Sequence, residues 1–460
     1  MLGFTVWGAL TLSGALLASS AFVHRAASRE ADRFVARVIV LGFIAKFLGS
    51  VAYYLLIARV YRTGDSFRYL SNGASIAARL RDGGGIPENA WATGTQSMDF
   101  IAGVAFALTQ PGTVHGFVLF ALLAYFGAYL ALRGFTLAFP DGDRRRYAVL
   151  IMLTPTMVFW PSSISKDSWL VFTLGAGMYG IARIYRREPG GYWIGVAATA
   201  GMYLVRPHMA ALFLVAAVIG FLIRVRDPAV RRGATAWLVG LVIFSAGAGY
   251  ALATFDEFLP KDENVDGTTL DQVLSETDRR TRIGGSEFES RPVETPVDFL
   301  HALVTVPFRP FPHEVTNAQG VVASIEGLAL LGLALLSFRR LLQLPRYVLR
   351  RPFVAMATAY SLGFIVAFAN IGNFGILVRQ RSQLLPLLAV LLCLPAVTKA
   401  VRRRRKPALV ASSSAPGSPV ESTSTGSASS PRALPDSDAV PSTRRQTVRA
   451  GGIEDPDVGP

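Results

Sequence analysis

The chain has 460 residues, 51% of them hydrophobic, and a formal net charge of +15. Its mean hydropathy of +0.39 excludes a soluble domain, and its long apolar runs exclude an outer-membrane barrel, whose strands alternate apolar and polar residues. The single cysteine, Cys393, excludes a disulfide framework. The arginines gather in short segments between the apolar runs, a pattern that indicates membrane topology and argues against nucleic-acid binding.

The apolar runs predict an all-α fold, a polytopic bundle of about 11 transmembrane helices. A run of about 20 apolar residues forms a helix that crosses the roughly 30 Å hydrocarbon layer of a bilayer. The first run has no basic residue before it and is followed by Arg25 and Arg29, so we expect an uncleaved helix and not a signal peptide. The predicted spans are residues 3–23, 35–59, 113–137, 148–162, 168–185, 191–205, 209–223, 234–254, 319–337, 353–370 and 383–399.

The arginine-rich connections predict the orientation. Cytoplasmic connections carry an excess of Lys and Arg, and the predicted spans alternate without contradiction when every arginine cluster is cytoplasmic. The N-terminus is then outside and the C-terminus inside, in a bacterial plasma membrane, since the arginine- and alanine-rich composition is typical of a genome rich in G and C. The clusters are Arg25, Arg29 and Arg33; Arg144 to Arg146; Arg183, Arg186 and Arg187; Arg224, Arg226, Arg231 and Arg232; Arg339, Arg340, Arg346, Arg350 and Arg351; and Arg402 to Arg405.

Three regions fall between or beyond the spans of the predicted transmembrane domain, residues 1–400. Residues 61–112 are predicted as an outer loop, in which the short apolar segment 100–110 is re-entrant or interfacial. Residues 256–318 are predicted as a large extracytoplasmic loop with one helix near 269–282. Residues 401–460 are rich in Ser, Pro and Thr, which predicts a disordered cytoplasmic tail open to protein partners of envelope synthesis.

This topology places polar and cationic residues on the outer face, although the insertion bias, by which Lys and Arg stay in the cytoplasm, disfavours cations there. Guanidinium and ammonium groups at a water–lipid boundary suit phosphate, which Arg binds bidentately and Lys as a point charge. One carboxylate among them suits a general base or a ligand of a divalent cation. The candidates are Arg62, Asp65, Arg68 and Tyr69; Ser165, Lys166 and Asp167 in the polar 160–169 turn; Arg206 and His208; Arg309, His313 and Glu314; and Arg379 and Arg381 in the last outer turn.

Each of these residues also has a purely structural interpretation. Asp65 suits a turn or the start of a helix, because aspartate accepts hydrogen bonds from the first free N–H groups. Lys166 and Asp167 suit a helix cap with a snorkelling lysine. Trp160 and Trp169, at the ends of the 160–169 turn, suit the aromatic belt of a membrane interface.

Four further residues keep two interpretations open. His208 is either catalytic or a satisfied histidine at a helix edge. Arg379 and Arg381 either bind substrate or pair with acidic residues of the 256–318 loop. Lys46 lies near the middle of the second span, where a charge is costly, so it either snorkels to the interface or lines the base of an internal cavity.

The arrangement resembles the bacterial class of multi-spanning, GT-C-type glycosyltransferases and polysaccharide repeat-unit polymerases. Residues 64–69, Gly-Asp-Ser-Phe-Arg-Tyr, look like the acidic motif of that class's first outer loop, although a single Asp replaces the usual acidic pair. The segments 160–167, 206–208 and 309–314 resemble parts of membrane proteins encoded with exopolysaccharide genes. The resemblance implies a polyprenyl-phosphate-linked sugar donor, a glycan acceptor and Asp65 as the base or the support of a divalent cation.

Three functions are compatible with the sequence. The first is a glycosyltransferase or polymerase, with Asp65 as base and with Arg62, Lys166, Arg206, Arg379 and Arg381 on the donor phosphate. The second is a transporter or flippase of a lipid-linked glycan; Lys46 favours it, while the concentration of polar residues at one rim disfavours it. The third is a non-catalytic membrane assembly protein that binds cytoplasmic partners through its tail.

Overall fold

The computed structural model describes residues 5–62, 64–224, 288, 291–315 and 317–396. These residues form helices and no β-strand, so the all-α prediction is confirmed for them. In chain order the α-helices are α1 (Val6–Ser28), α2 (Arg33–Leu55), α3 (Asp65–Arg81), α4 (Thr95–Leu108), α5 (Thr113–Ala138), α6 (Arg144–Leu153), α7 (Pro155–Phe159), α8 (Lys166–Arg186), α9 (Gly191–Val205), α10 (Pro207–Arg224), α11 (Pro296–Phe308), α12 (Ala318–Leu336), α13 (Phe338–Leu341), α14 (Leu344–Val348), α15 (Pro352–Phe368) and α16 (Phe374–Leu392).

Among the described residues, six helices are long and apolar enough to cross a membrane. They are α1, α2 with its π-helical extension to Tyr61, α5, α10, α12 and α16. Helices α9, α11 and α15 are apolar but shorter. The predicted span 234–254, the predicted loop helix 269–282 and the tail 401–460 lie outside the described residues.

Helix packing in the bundle depends on small residues at the points of closest approach. A Cβ atom on Gly175 of α8 would lie 1.9 Å from the carbonyl oxygen of Gly127 in α5. Glycine at both positions lets the two backbones touch, as small residues do between membrane helices. The large buried core extends from α2 and α5 through α8 and α10 to α15 and α16, and it supports the ends of these helices from which the polar side chains project.

The predicted span 148–162 is not one continuous helix, so this prediction is wrong. It divides into α6 and α7 at Thr154 and Pro155. Thr154 has an extended backbone with ψ 138°, because the ring of a following proline disfavours the helical conformation. Pro155 then begins α7 at a position where its missing N–H is not needed.

The predicted outer loop 61–112 is largely helical. Helices α3 and α4 pack side by side, and the 100–110 segment forms the second half of α4 up to Leu108. Arg81 at the end of α3 donates to the carbonyl oxygens of Phe106 (2.6 Å), Ala107 (3.1 Å) and Thr109 (2.8 Å). These bonds satisfy the last carbonyl groups of α4, which have no partner within their own helix, and they close the α3–α4 hairpin.

The start of the last helix also differs from the prediction. Helix α16 begins at Phe374, where the Asn373 side chain accepts a hydrogen bond from the Ile376 N–H at 3.1 Å, and not at residue 383. Arg379 and Arg381 therefore lie inside a helix and not in an outer turn. The apolar run of the sequence begins only after these two charges. The helix begins before them and includes them, because their charged partners lie on neighbouring helices.

The described part of the predicted 256–318 loop contains helix α11. Its N-terminus has a reciprocal cap, in which Thr295 Oγ1 accepts from the Asp298 N–H (3.3 Å) and Asp298 Oδ2 accepts from the Thr295 N–H (2.9 Å). The segment after α11 turns through the short 3₁₀ helix Pro312–Glu314 into α12. This turn brings Arg309 and Glu314 next to the N-terminal part of α16.

Candidate functional site

The 160–169 turn depends on Lys46, a buried residue of α2. A helical carbonyl at position 157 would accept from the N–H of residue 161, but Pro161 has no N–H. The Lys46 ammonium group donates to the Met157 carbonyl oxygen instead. Lys46 is 2% exposed, so it neither snorkels nor lines an open cavity, and its charge serves to satisfy a carbonyl that the proline leaves without a donor.

The turn then leads into α8 through a serine cap. Ser165 Oγ accepts from the Ser168 N–H at 3.3 Å, and Ser168 Oγ donates to the Ser165 carbonyl oxygen at 2.6 Å. Because Ser165 caps the helix, the Asp167 carboxylate is not used for capping. Trp169 Nε1 donates to the Gly201 carbonyl oxygen at 2.7 Å, so Trp169 fastens α8 to α9.

Asp167 is the centre of a buried polar cluster. Its Oδ2 accepts from Arg379 Nε, and its Oδ1 accepts from Gln383 Nε2 at 3.1 Å and lies 3.5 Å from Arg206 Nη2. The Asp167 side chain is 1% exposed, and a carboxylate so far from water requires charged partners and hydrogen bonds of this kind. We name the set of Asp65, Lys166, Asp167, Arg206, Arg379, Gln380 and Gln383 the polar cluster.

Arg206 joins the polar cluster from the junction of α9 and α10. Its Nη1 donates to Gln380 Oε1 and to Gln383 Oε1, the latter at 3.2 Å. The nearby Leu204 carbonyl oxygen accepts from the Gly94 N–H at 2.7 Å, which ties the start of α4 to the same junction. The α3–α4 hairpin, the 160–169 turn, the α9–α10 junction and α16 therefore meet at one place.

Asp65 lies at the mouth of the polar cluster. Gly64, with φ 151°, adopts a backbone conformation that favours glycine and turns the chain into α3. Asp65 is the first residue of α3, its side chain is 59% exposed, and its Oδ2 lies 3.6 Å from Arg379 Nη1. Arg379 thus bridges a buried carboxylate, Asp167, and an exposed one, Asp65.

Lys166 is the one cation of the polar cluster for which the described part of the chain supplies no carboxylate within ion-pair distance. Its Nζ donates to Thr95 Oγ1 at 2.9 Å. Burial, followed by the positive charge of Arg206, lowers the pKa of Lys166 to about 8. An anion bound beside Lys166 would restore the charged form, so this position is suited to an anionic ligand.

Arg381 does not belong to the polar cluster, and its role as a phosphate ligand stays a prediction. It is 1% exposed, its Nη1 lies 3.8 Å from Glu326 Oε1 of α12, and its Nη2 donates to the Arg309 carbonyl oxygen. Glu326 Oε2 accepts from the Thr156 N–H at 2.7 Å. We name Arg381, Glu326 and Thr156 the inner pair site; it joins α16, α12 and α7.

The 309–314 segment forms its own ion pair. Arg309 Nη2 lies 2.7 Å from Glu314 Oε1, and the Phe311 N–H donates to Glu314 Oε2 at 2.7 Å. The Arg309 guanidinium also covers the Phe288 ring at 4.6 Å. His313 is exposed and lies parallel to the Phe311 ring at 6.0 Å. These contacts shape the turn before α12 and explain Arg309 and Glu314 without a ligand.

The remaining predicted residues lie around the polar cluster rather than in it. Arg62 is exposed, with φ 53°, and Arg68 Nη2 lies 3.8 Å from Asp99 Oδ2. Tyr69 is 1% exposed in the hairpin core, where burial and the charge of Asp65 raise its pKa. His208 is exposed at the start of α10, with its ring 6.4 Å from that of Phe368.

The donor set around Asp65 was tested for a divalent cation. No group of three or more His, Cys, Asp or Glu side chains forms a ligand set within the residues that the structure describes. The nearest charged partner of Asp65 is the Arg379 guanidinium, which repels a second cation. The described residues therefore supply no complete ligand set for a divalent cation, and its binding stays an untested prediction.

An apolar groove runs beside the polar cluster, between α4, α5 and α9. Its volume is about 530 Å³, and Trp91, Phe100, Leu108, Phe120, Trp169 and Leu204 line it. Trp169 is one helical turn from Lys166, and Leu204 is two residues from Arg206. One end of the groove therefore lies next to the cations, an arrangement suited to an amphiphile with an anionic head group.

Sequence reasoning missed several residues of these sites. Gln383 stands four residues after Arg379 and three after Gln380, and this helical spacing was the one signal that Gln383 is a neighbour of both. Glu326 is a carboxylate inside an apolar span, which by itself marks a buried partner. Comparison of the chain with family models, with curated proteins and with solved structures finds no match.

Proposed function

We propose that the chain is a glycosyltransferase or polysaccharide polymerase of the bacterial plasma membrane that acts at the outer face on polyprenyl-phosphate-linked sugars. The observation that carries the proposal is Lys166. Lys166 is a half-buried cation with no carboxylate of the described part of the chain within ion-pair distance. It lies between two further cations and the end of an apolar groove. A lipid-linked phosphate has both an anionic head and an apolar chain, and this position accommodates both.

The charge balance of the polar cluster favours an anionic ligand. It contains three cations, Lys166, Arg206 and Arg379, and two carboxylates, Asp65 and Asp167. Asp167 holds both guanidinium groups from the buried side, so they are oriented before any ligand arrives. Cations placed in this way stabilise charge that develops on a leaving phosphate without reorganising during the reaction.

Asp65 is the proposed general base. Its carboxylate is exposed at the mouth of the polar cluster, 3.6 Å from the Arg379 guanidinium. The proton of the acceptor hydroxyl moves to the Asp65 carboxylate while the acceptor oxygen bonds to the anomeric carbon of the donor sugar. The bond from that carbon to the phosphate oxygen breaks, and its electron pair remains on the phosphate, where Lys166, Arg206 and Arg379 stabilise it.

The proposed topology completes the assignment. With about 11 spans and a cytoplasmic tail, the 160–169 turn, the α9–α10 junction and Asp65 share the outer side. The apolar groove between α4, α5 and α9 takes the polyprenyl chain. The observation that had favoured transport, Lys46, is accounted for by its bond to the Met157 carbonyl, so transport has no remaining support of its own.

Replacing Asp65 with asparagine is expected to lower transfer by about 100- to 10,000-fold, since that is the usual contribution of a positioned general base. The assay follows glycan product formed by membrane vesicles from a lipid-linked donor, with the amount of inserted protein measured in parallel. Asp82→Asn is the matched control, because Asp82 is an exposed aspartate at the opposite end of α3. Full activity of the Asp65→Asn protein would remove this residue as the base.

The affinity for the donor is expected to fall as the pH rises through the Lys166 pKa of about 8. Below this pH the ammonium group is charged and attracts phosphate; above it the group is neutral and the attraction is lost. Lys166→Arg should move the decline to higher pH, because a guanidinium stays charged throughout this range. The KM for the donor on the two sides of pH 8 measures this, and an identical decline in the wild-type and arginine proteins would assign it to another group.

A further inference from the structure

A second, more polar cavity lies in the α3–α4 hairpin, on the other side of Phe100 from the apolar groove. Its volume is about 340 Å³, and Asn72, Arg79, Asn89, Gln96, Asp99 and Phe100 line it. This volume is within the range of about 300–1,000 Å³ that ligand sites occupy. None of the six residues was a candidate from the sequence, and only Phe100, which also lines the apolar groove, has a place in the proposed function.

The lining of the cavity matches a neutral, polyhydroxylated ligand. Three side-chain amides, those of Asn72, Asn89 and Gln96, offer donors and acceptors together, as sugar hydroxyl groups also do. The Phe100 ring adds an apolar face, which is held by the Trp91 ring at 5.5 Å. Arg79 and Asp99 have opposite charges, so the lining has no excess of cations that would select a phosphate.

Asp99 is the most informative residue of the cavity. It is 6% exposed; its Oδ2 accepts from Asn72 Nδ2 at 3.0 Å, while its Oδ1 has no hydrogen-bond partner among the described residues. Burial raises the pKa of this carboxyl group. A buried acceptor without a donor is costly, and a ligand hydroxyl group is a donor of the right kind.

The cavity adjoins the polar cluster. Thr95, which accepts from Lys166 Nζ at 2.9 Å, is one helical turn before Asp99 on α4, and side chains at this spacing are neighbours. A ligand held by Asp99 and Gln96 would therefore lie one helical turn from the cation that we assign to the donor phosphate.

We propose that the α3–α4 cavity is a sugar-binding site and that it holds the glycan acceptor. The second part rests on the proposed function, because an acceptor requires a transfer reaction. The first part does not, because the amides, the aromatic ring and the unpaired carboxylate oxygen bind a sugar whether or not transfer follows. Asn72 and Gln96 orient the sugar ring, and Asp99 accepts from one of its hydroxyl groups.

The experiment is saturation-transfer NMR of the purified full-length protein in nanodiscs with a panel of free mono- and oligosaccharides. At least one sugar should receive saturation from the wild-type protein. Asn72→Ala with Gln96→Ala should weaken that binding by about tenfold or more, as the loss of hydrogen bonds to a bound hydroxyl predicts. Gln319→Ala is the matched control, because this amide accepts from Tyr61 Oη at 2.7 Å and does not line the cavity.

A second variant keeps the test decisive if the double alanine protein does not fold. Ser75 is exposed and lines the same cavity, so Ser75→Trp fills the space without removing a buried group and should abolish sugar binding. No sugar bound by the wild-type protein, or binding unchanged in Ser75→Trp, would overturn the proposal. Sugar binding without any transfer activity would instead refute the proposed function and leave the sugar-binding site in place.

Discussion

Replacing Asp167 with asparagine is expected to lower transfer activity by at least about 100-fold, a loss comparable with the removal of one preorganised group that stabilises a developing charge. Asp167 orients Arg206 and Arg379 from the buried side. Asparagine has nearly the same shape but no charge, so the two guanidinium groups would repel each other without a carboxylate between them. The amount of folded, inserted protein measures any loss of folding, and the rate of product formation per folded protein measures the loss of activity.

Asp167→Ala should in addition destabilise the fold by about 3–5 kcal/mol, because it leaves buried charges without their partner. The matched control is Asp141→Ala. Asp141 pairs with Arg351 at 2.5 Å, but its side chain is 53% exposed, and exposed pairs contribute only about 0–1 kcal/mol. Equal effects of the two alanine substitutions would contradict a central role for Asp167.

A double substitution separates stability from activity at this residue. Asp167→Asn combined with Arg379→Gln removes one negative and one positive charge, so most of the lost stability should return. Activity should not return, since Arg379 is also the partner of Asp65 and a proposed ligand of the donor phosphate. If both stability and activity returned, the role of the polar cluster would be structural only.

The second large effect is expected at the inner pair site. Glu326→Ala should lower stability by about 3–5 kcal/mol, the cost of leaving a buried charge unpaired, because Arg381 would lose its carboxylate in the interior. The Arg381 side chain is 0% exposed and that of Glu326 is 3% exposed, so water cannot replace the missing partner. The apparent unfolding temperature in detergent measures the change.

Removing both charges distinguishes a structural pair from a phosphate site. Glu326→Leu with Arg381→Met should be much more stable than either single variant, because apolar residues often replace a buried ion pair at no cost. If Arg381 only supports the fold, the double variant should also keep most of its transfer activity. A well-folded but inactive double variant would return Arg381 to the list of functional cations.

The fold was largely predictable where local signals determine it. The apolar runs 113–137, 191–205 and 353–370 correspond to α5, α9 and α15 within two residues at each end, because run length and flanking polar residues determine such helices directly. The prediction was wrong where a contact from elsewhere in the chain overrides the local pattern. Helix α16 passes through two arginines because Asp167 and Glu326 are placed to receive them.

Only part of the polar cluster was predictable from the sequence, which also singled out Arg62 and Arg381, two residues that lie apart from it; the roles of all these residues stay predictions. The insertion bias singled out Asp65, Lys166, Arg206 and Arg379, and the structure brings all four together around Asp167. The partners that orient them, Gln380 and Gln383, carry no charge and gave no such signal. The sequence does not show that such an amide belongs to the site, because its role depends on the guanidinium that donates to it in the folded protein.

Arg379 and Arg381 show where sequence information ends for this protein. The sequence by itself determined the all-α class, the apolar helices and the polar composition of the 160–169 turn, since these follow from the chemistry of consecutive residues. It presents the two arginines as equivalent, two positions apart. On a helix of 3.6 residues per turn they point roughly 200° apart, so Arg379 faces Asp167 and Asp65 while Arg381 faces Glu326. Only the tertiary structure decided which of them joins the polar cluster, because that depends on which helix packs against each side of α16.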